Sequence, residues 1–187
     1  MYDTYMSAPI LVTGAGGNIG RPVVAGLLAA GVDVRAAVPP GQPMPPLPHT
    51  ATGDTGASSS SGSATDFETV DFDFTDSTTW AAAFTGVDTM FLLRPPQLSK
   101  VERDLVPALA AARAVGVQHV VFLSLQGADH NRFVPHAKVE QWLTSSGMDW
   151  TFVRPSFFME NLSTTHASDI RDRDEICVPA GRGATAF

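Results

Sequence analysis

A chain of 187 residues with 44% apolar content can bury one full-sized core and is too short for two. Its formal charge of −7 leaves no basic stripe to displace counterions, which argues against direct binding of nucleic acid. No apolar run is long enough to span a membrane, residues 1–9 lack a signal-peptide pattern, and the single cysteine, Cys177, cannot close an internal disulfide, so a cytoplasmic protein without a membrane partner is expected.

The first predicted element is the apolar run Ile10-Leu11-Val12, which stops at Thr13-Gly14-Ala15-Gly16-Gly17-Asn18-Ile19-Gly20. Ile19, Val23, Val24, Leu27 and Leu28 then fall at helical spacing, so the stretch reads strand, glycine turn, helix. Each glycine has a task if a diphosphate binds there. Gly14 permits the tight turn, Gly17 lets the backbone come close, and Gly20 lets the helix press on the strand. The unpaired N–H groups and positive dipole end of the helix would face the phosphates. A glycine triplet alone is weak; the flanking strand and helix supply its context.

Gly31 ends this helix, and residues 32–38 form a second strand that Pro39 stops. Residues 39–65 change character: Pro39, Pro40, Pro43, Pro45, Pro46 and Pro48 precede a Ser/Gly/Thr tract with no apolar face. A solvated or disordered surface insertion is expected. Residues 67–72 alternate as a third strand, and Asp76 or Ser77 caps a short helix through Trp80 and Phe84 that Gly86 ends. Residues 89–93 are continuously apolar, as in a strand buried on both faces, and Arg94-Pro95-Pro96 closes them. The following helix turns Val101, Leu105, Leu109 and Ala112 inward. Pro107 lies inside it, where proline costs about 3 kcal/mol or forces a bend.

Residues 117–123 are a fifth strand, ending at Ser124; a helix from Pro135 runs through Lys138, Val139, Trp142 and Leu143 to Gly147; residues 149–154 are a sixth strand. Strict alternation of strand and helix implies an α/β fold, a doubly wound parallel sheet in the order 3-2-1-4-5-6. Residues 1–155 then form the dinucleotide-binding domain. Residues 156–187 are too few for a domain of their own and read as a partial C-terminal region. Ala184-Thr185-Ala186-Phe187 looks like the start of an interrupted strand, so a truncated C-terminal stub and a homo-oligomer are expected. The five histidines are scattered with no spacing suited to zinc, and no metal site is expected.

Several segments occur together in one order: the turn at residues 13–20, Asp73-Phe74, Gly86-Val87-Asp88, His119-Val120-Val121-Phe122-Leu123-Ser124, and Arg154-Pro155-Ser156-Phe157-Phe158-Met159-Glu160-Asn161. In this the chain resembles the NmrA-like branch of the atypical short-chain dehydrogenase/reductases, over nearly everything except residues 39–64. The resemblance implies a Rossmann domain that binds NAD(P)(H), with a small-molecule substrate beneath a C-terminal lobe, of which residues 156–187 would be a partial substrate-binding region, a truncated substrate-domain stub. Some such proteins reduce quinones, imines or dyes; others have lost catalysis and sense redox state through protein contacts. Carried over by residue, it implies that Gly14, Gly17, Asn18, Ile19 and Gly20 meet the pyrophosphate. Asp73 and Phe74 would lie by the adenine. Leu93, Arg94, Ser124 and Phe158 would stand at strand ends on the ligand side, Lys138 at the nicotinamide ribose, and Phe157 and Asn161 by the substrate.

Two departures accompany the resemblance. Relatives that prefer NADP carry a basic residue just past the second strand, where this chain has Pro39, while Arg35 and Arg21 remain as cations able to reach a phosphate. Neither is an acid that would grip a ribose diol, so the cofactor is NADP(H) or NAD(H) with a lean to NADP(H). The tyrosine expected four residues before Lys138 is Val134, and the only tyrosines are Tyr2 and Tyr5. The catalytic set becomes Lys138, Ser124 and His136, the last able to move a proton near neutral pH. His136 and Glu140 are also spaced as a solvated helical pair. Two functions follow: an NAD(P)H-dependent oxidoreductase acting on a small apolar electrophile such as a quinone or imine, or a non-catalytic dinucleotide-binding regulator acting through protein contacts.

Overall fold

The structure, a computed structural model, describes residues 8–48, 67–156 and 158–176. Six strands form one parallel sheet: β1 (Ile10–Val12), β2 (Val34–Val38), β3 (Glu68–Asp71), β4 (Thr89–Leu92), β5 (His119–Leu123) and β6 (Asp149–Val153). Their order is β3-β2-β1-β4-β5-β6, the doubly wound arrangement that alternation of strand and helix predicts. β1 pairs with β2 on one side (Ile10 opposite Val34) and with β4 on the other (Leu11 opposite Met90). The chain therefore winds outward in both directions from β1 and β4, and a crevice opens between their carboxyl ends.

Side chains alternate between two cores because strand residues alternate between faces. Leu11, Met90, Leu92, Val120 and Phe122 pack with Leu105 and Leu109 of the crossover helices and with Val139 and Leu143. Val12, Ala36 and Val38 pack on the other face with Val24 of α1 (Gly20–Ala29). β4 is less enclosed than a continuous apolar run implies: Met90 and Leu92 are fully buried, but Phe91 only half so, since the second core is the thinner one. β6 lies at the sheet edge and is mostly exposed.

Asp76 caps as expected, accepting from the Thr78 N–H at 2.9 Å ahead of α2 (Trp80–Phe84). Pro107 does not bend one long helix. The backbone breaks at Leu105 into α3 (Val101–Asp104) and α4 (Val106–Ala114), which puts Pro107 in the first turn of α4, where a missing N–H leaves no bond unmade. α5 (Pro135–Ser146) likewise begins on proline and ends at Gly147 with φ 83°. Two short helices, α6 (Glu160–Ser163) and α7 (Ala167–Arg173), follow β6.

The proline-rich segment also differs from a free excursion over its first part. Met44 and Leu47 pack against the α1-side core, so residues 39–48 lie as a strap along the surface past the end of β2. The rest of that insertion, residues 49–65, lies outside the described residues, as do Tyr2, Tyr5, Phe157, Cys177 and residues 184–187. Among the described residues no helix is long and apolar enough to cross a membrane, and no group of three or more His, Cys, Asp or Glu could hold a metal ion.

Candidate functional site

The glycine turn sits at the mouth of the crevice between β1 and β4. Thr13, fully buried, ties the two strands together: its Oγ1 accepts from the Leu93 N–H at 2.8 Å and donates to the Phe91 carbonyl at 3.2 Å, while its own N–H reaches that carbonyl at 3.0 Å. Sequence reasoning left Thr13 out of the site; a hydroxyl placed directly between strand and glycine turn was the available signal. Gly14 has φ +63°, a conformation that favours glycine, and Leu93 fills the space its side chain would take, with Cδ2 2.7 Å from a Cβ placed there. At Gly20 a Cβ would stand 2.7 Å from the Ala15 Cα and closer still to the Gly14 carbonyl, so the helix meets the turn backbone to backbone. The N–H groups of Gly16, Asn18, Ile19 and Gly20 have no acceptor among the described residues. They cluster at the start of α1, where unpaired N–H groups and the helix dipole favour an anion.

Beside this turn is a cavity of about 400 Å³ lined by Gly14, Gly16 and Gly17, by Val38 and Pro39 at the end of β2, by Leu93 and Arg94 at the end of β4, and by strap residues Gln42, Pro43 and Pro45. Asp73 and Phe74 follow β3, on the same carboxyl side of the sheet. The Asp73 carboxylate is engaged in its own turn, accepting from Thr75 N at 2.7 Å and Thr75 Oγ1 at 2.8 Å. The Phe74 ring is buried edge-on to Phe72 at 4.8 Å, so it is a core residue rather than an open stacking surface.

Arg35 is not brought to this cavity. It lies near the amino end of β2, and its guanidinium is committed there: Nε to Glu68 Oε2 at 2.7 Å, and Nη1 to the carbonyls of Ala82, Ala83 and Thr85 at the end of α2. As a cofactor-binding residue it is corrected, because α2 runs back along the sheet and its carbonyl end draws the cation to the opposite edge.

Arg94 and His136 form a second cluster at the carboxyl ends of β4 and β5. Arg94 Nη1 donates to the carbonyls of Pro95, Pro96 and Leu98 at 2.9–3.2 Å, while its Nε is buried without a partner. Burial holds the Arg94 pKa below its usual value. His136, in the first turn of α5, stacks on Phe122 with ring centroids 5.9 Å apart, and its Nδ1 is also buried without a partner. Burial, then the Arg94 charge, pushes the His136 pKa below 6.5, against the pull of Glu140. Both effects favour the neutral imidazole.

The other two members of the expected catalytic set are engaged elsewhere. Lys138 pairs through Nζ with Glu102 on α3 at 3.2 Å. Ser124 donates to Glu140 Oε1 at 2.5 Å, and Arg154 grips the same carboxylate with Nε at 2.9 Å and Nη2 at 2.7 Å. Asp129 extends the chain to Arg154 Nη1 at 3.3 Å. Glu140 is thus a buried anchor, not half of a solvated pair with His136; an acid one residue after the fully buried Val139 was the missed signal. Phe158 and Asn161 follow the end of β6, with Phe158 exposed and Asn161 half-buried. Neither lines the glycine-turn cavity.

The family model described as the NmrA-like family matches residues 6–179. An NAD(P)H azoreductase of Xenophilus azovorans is 31% identical over 185 residues, which cover 95% of this chain and 58% of that protein. A (4-alkanoyl-5-oxo-2,5-dihydrofuran-3-yl)methyl phosphate reductase of Streptomyces griseus is 36% identical over 157 residues, 81% of this chain and 49% of that one. Among solved structures, the triphenylmethane reductase of Citrobacter complexed with NADP(H) superposes with a TM-score of 0.65 at 21% identity, over 92% of this chain and 58% of that one; this likeness speaks to fold alone. The chain spans about half the length of these relatives. With the family match extending over most of its residues and the sheet order agreeing, the chain belongs to the NmrA-like family.

Proposed function

We propose that this chain holds a nicotinamide dinucleotide, NAD(P)(H), at the crevice between β1 and β4 and serves as an NAD(P)H-dependent oxidoreductase for a small, flat, apolar electrophile such as a quinone or imine. The observation that carries the reading is the backbone contact at Gly20. It brings the start of α1 and its unpaired N–H groups against the turn, beside a cavity at the switch point of the sheet. The residues present fit a diphosphate: four N–H donors without acceptors among the described residues, no acidic side chain in the cavity wall, and two arginines nearby, each with a buried Nε lacking a partner. The azoreductase and phosphate reductase relatives support reductase chemistry.

Gly16, Asn18, Ile19 and Gly20 would offer the diphosphate their backbone N–H groups, with Gly14 and Gly17 beside them in the turn, and Leu93 and Arg94 would wall the cavity toward β4. When bound, the dinucleotide supplies a hydride. His136 is the one member of the expected catalytic set with a free polar atom, and it would offer a hydrogen bond from a neutral ring. A neutral imidazole is a weak acid. That suits acceptors such as quinones and iminium ions, whose reduction does not wait on a strong proton donor.

Titration calorimetry with NADPH and NADH tests the reading, followed by oxidation assays with quinone and azo acceptors. Gly17→Val should abolish binding; a Cβ there meets the Gly14 carbonyl at 3.3 Å, a tight contact, so a thermal melt beside the parent separates lost binding from lost folding. Unchanged affinity would reject the placement. A second reading, a dinucleotide-binding regulator without turnover, is favoured by the engagement of Ser124 with Glu140 and Lys138 with Glu102, and by Val134 in the tyrosine position. Tight binding without oxidation of any acceptor would support it.

A further inference from the structure

We propose that residues 39–48 are an autoinhibitory strap: docked on the α1 side of the sheet, they fill the corner that the adenosine half of a dinucleotide needs, and the coenzyme binds by displacing them. The proposal rests on the dinucleotide reading above and adds what regulates that site.

In a doubly wound fold a dinucleotide crosses the crevice at the carboxyl ends of the strands, and the chain just past the second strand meets the adenosine ribose. The space between Gly16 and the end of β2 therefore lies on the adenosine path. Here it is filled. A Cβ placed on Gly16 would stand 3.1 Å from Pro45 Cδ and 3.6 Å from its Cγ, with Val38 Cγ1 at 4.0 Å. Gly17, one residue on, is exposed, and a Cβ there meets only backbone. The turn is thus open at Gly17 and closed toward β2 by a proline ring. The cavity of about 400 Å³ that remains has Pro43 and Pro45 in its lining, so the strap borders the site itself.

What holds the strap is slight. The chain turns back after β2 through Gly41, with φ 72°, and the Gln42 N–H donates to the Pro39 carbonyl at 3.0 Å. Met44 and Leu47 are half-buried against the α1-side core, and Arg21 Nη1 donates to the Pro46 carbonyl at 3.2 Å. The strap joins no strand of the sheet, and its other residues from Gly41 to Pro48 are exposed. Few buried contacts and little backbone bonding mark a segment that opens locally while the rest of the fold stays intact. Pro43, Pro45, Pro46 and Pro48 keep it stiff, so it docks and lifts as a unit about Gly41. A site that is open for only a fraction of the time binds more weakly by that fraction, so loosening the strap raises the apparent affinity.

The test uses the full chain as the parent, Met44→Ser/Leu47→Ser and Pro45→Gly, with circular dichroism to confirm matched folding. Calorimetric titration with NADPH gives the affinities, and thermolysin cleavage within the strap, with and without NADPH, reads its position. Both variants should bind NADPH more tightly than the parent, by about tenfold if the parent is closed about nine-tenths of the time. Pro45→Gly removes the ring that fills the corner and leaves Met44 and Leu47 in place, so it decides the matter if the double variant unfolds. Saturating NADPH should also speed cleavage of the parent's strap. Equal or weaker binding in Pro45→Gly, or a parental strap that NADPH protects from thermolysin, would overturn the proposal and make the strap a fixed wall. Failure of all three proteins to bind NADPH would overturn the dinucleotide reading itself, and this proposal with it; binding by the variants alone would uphold both.

Discussion

Ser124 donates its hydroxyl proton to Glu140 at 2.5 Å, and this contact ties the carboxyl end of β5 to the second turn of α5. Arg154 holds the same carboxylate from beyond β6, and that hydrogen-bonded pairing keeps the guanidinium pKa above its usual value. One buried acid thus fixes three successive elements at the edge of the sheet. Removing it strands the partner arginine and leaves a buried hydroxyl without an acceptor. Urea unfolding should rank the variants by loss of midpoint: Glu140→Ala most, Ser124→Ala less because both Arg154 bonds survive, and Glu102→Ala least because it breaks only an exposed pair. A Glu140→Ala midpoint equal to that of Glu102→Ala would show that the clamp carries no structural load.

Gly20 and Gly26 lie on the same helix and should respond in opposite directions. A Cβ at Gly20 meets the Ala15 backbone at 2.7 Å, and that backbone cannot yield without opening the turn, so Gly20→Ala should destabilise by about 1–3 kcal/mol and weaken NADPH binding. Gly26 is exposed and has nothing within 4 Å of its Cβ position, so Gly26→Ala should stabilise by about 0.5–1 kcal/mol through helix propensity alone. Thermal melts of both variants beside the parent check the pair. Gly20→Ala melting with the parent would remove the packing argument for that glycine.

Much of the fold was legible because a parallel sheet covered on both faces writes itself as short apolar runs cut by glycine and proline. Residues 89–93 and 117–123 are of this kind, and the glycine turn announced the switch point directly. What stayed hidden was where long polar side chains end up. Arg35 reads as a spare cation near the end of a strand, yet its partners are carbonyls 47–50 residues away that exist as acceptors only once α2 terminates against β2. Glu140 at helical spacing from His136 reads as a surface pair, and only the folding of α5 onto β5 and β6 turns it inward to Ser124 and Arg154. Pro107 misled for a local reason: the break at Leu105 converts a helix interior into a first turn, and spacing of Val101, Leu105 and Leu109 alone does not mark it.

His136 should leave a signature in the pH dependence of stability. Its folded pKa lies below the ordinary value of 6.5, chiefly through burial, so the unfolded chain takes up this proton first as pH falls. The neutral ring therefore contributes stability that is fully present above pH 6.5 and declines as pH drops from 6.5 through the lower folded value. Urea unfolding of the parent and His136→Gln at pH 7.5 and pH 5 should show the parent's relative stability shrinking at the lower pH. A constant difference between the two proteins across that interval would mean that the folded ring titrates as it does in the unfolded chain.

Lys138 has an ammonium with two possible uses, and Glu102 is the residue that lets them be separated. The pair spans the first turns of α5 and α3 at 3.2 Å, with both side chains well exposed, so screening by solvent leaves it little weight in folding. Its effect on Glu102 is to hold that carboxyl below its usual pKa, after the contribution of the residue's own backbone N–H. If Lys138 serves the nicotinamide ribose, Glu102 competes for it. Glu102→Gln should then tighten NADPH binding severalfold without moving the melting temperature, and Lys138→Met should weaken binding by a similar factor. The gain in Glu102→Gln should fade at high salt, where the competing ion pair is already screened in the parent. Identical dissociation constants for all three proteins at low salt would assign Lys138 to the α3–α5 contact alone and remove it from the coenzyme site.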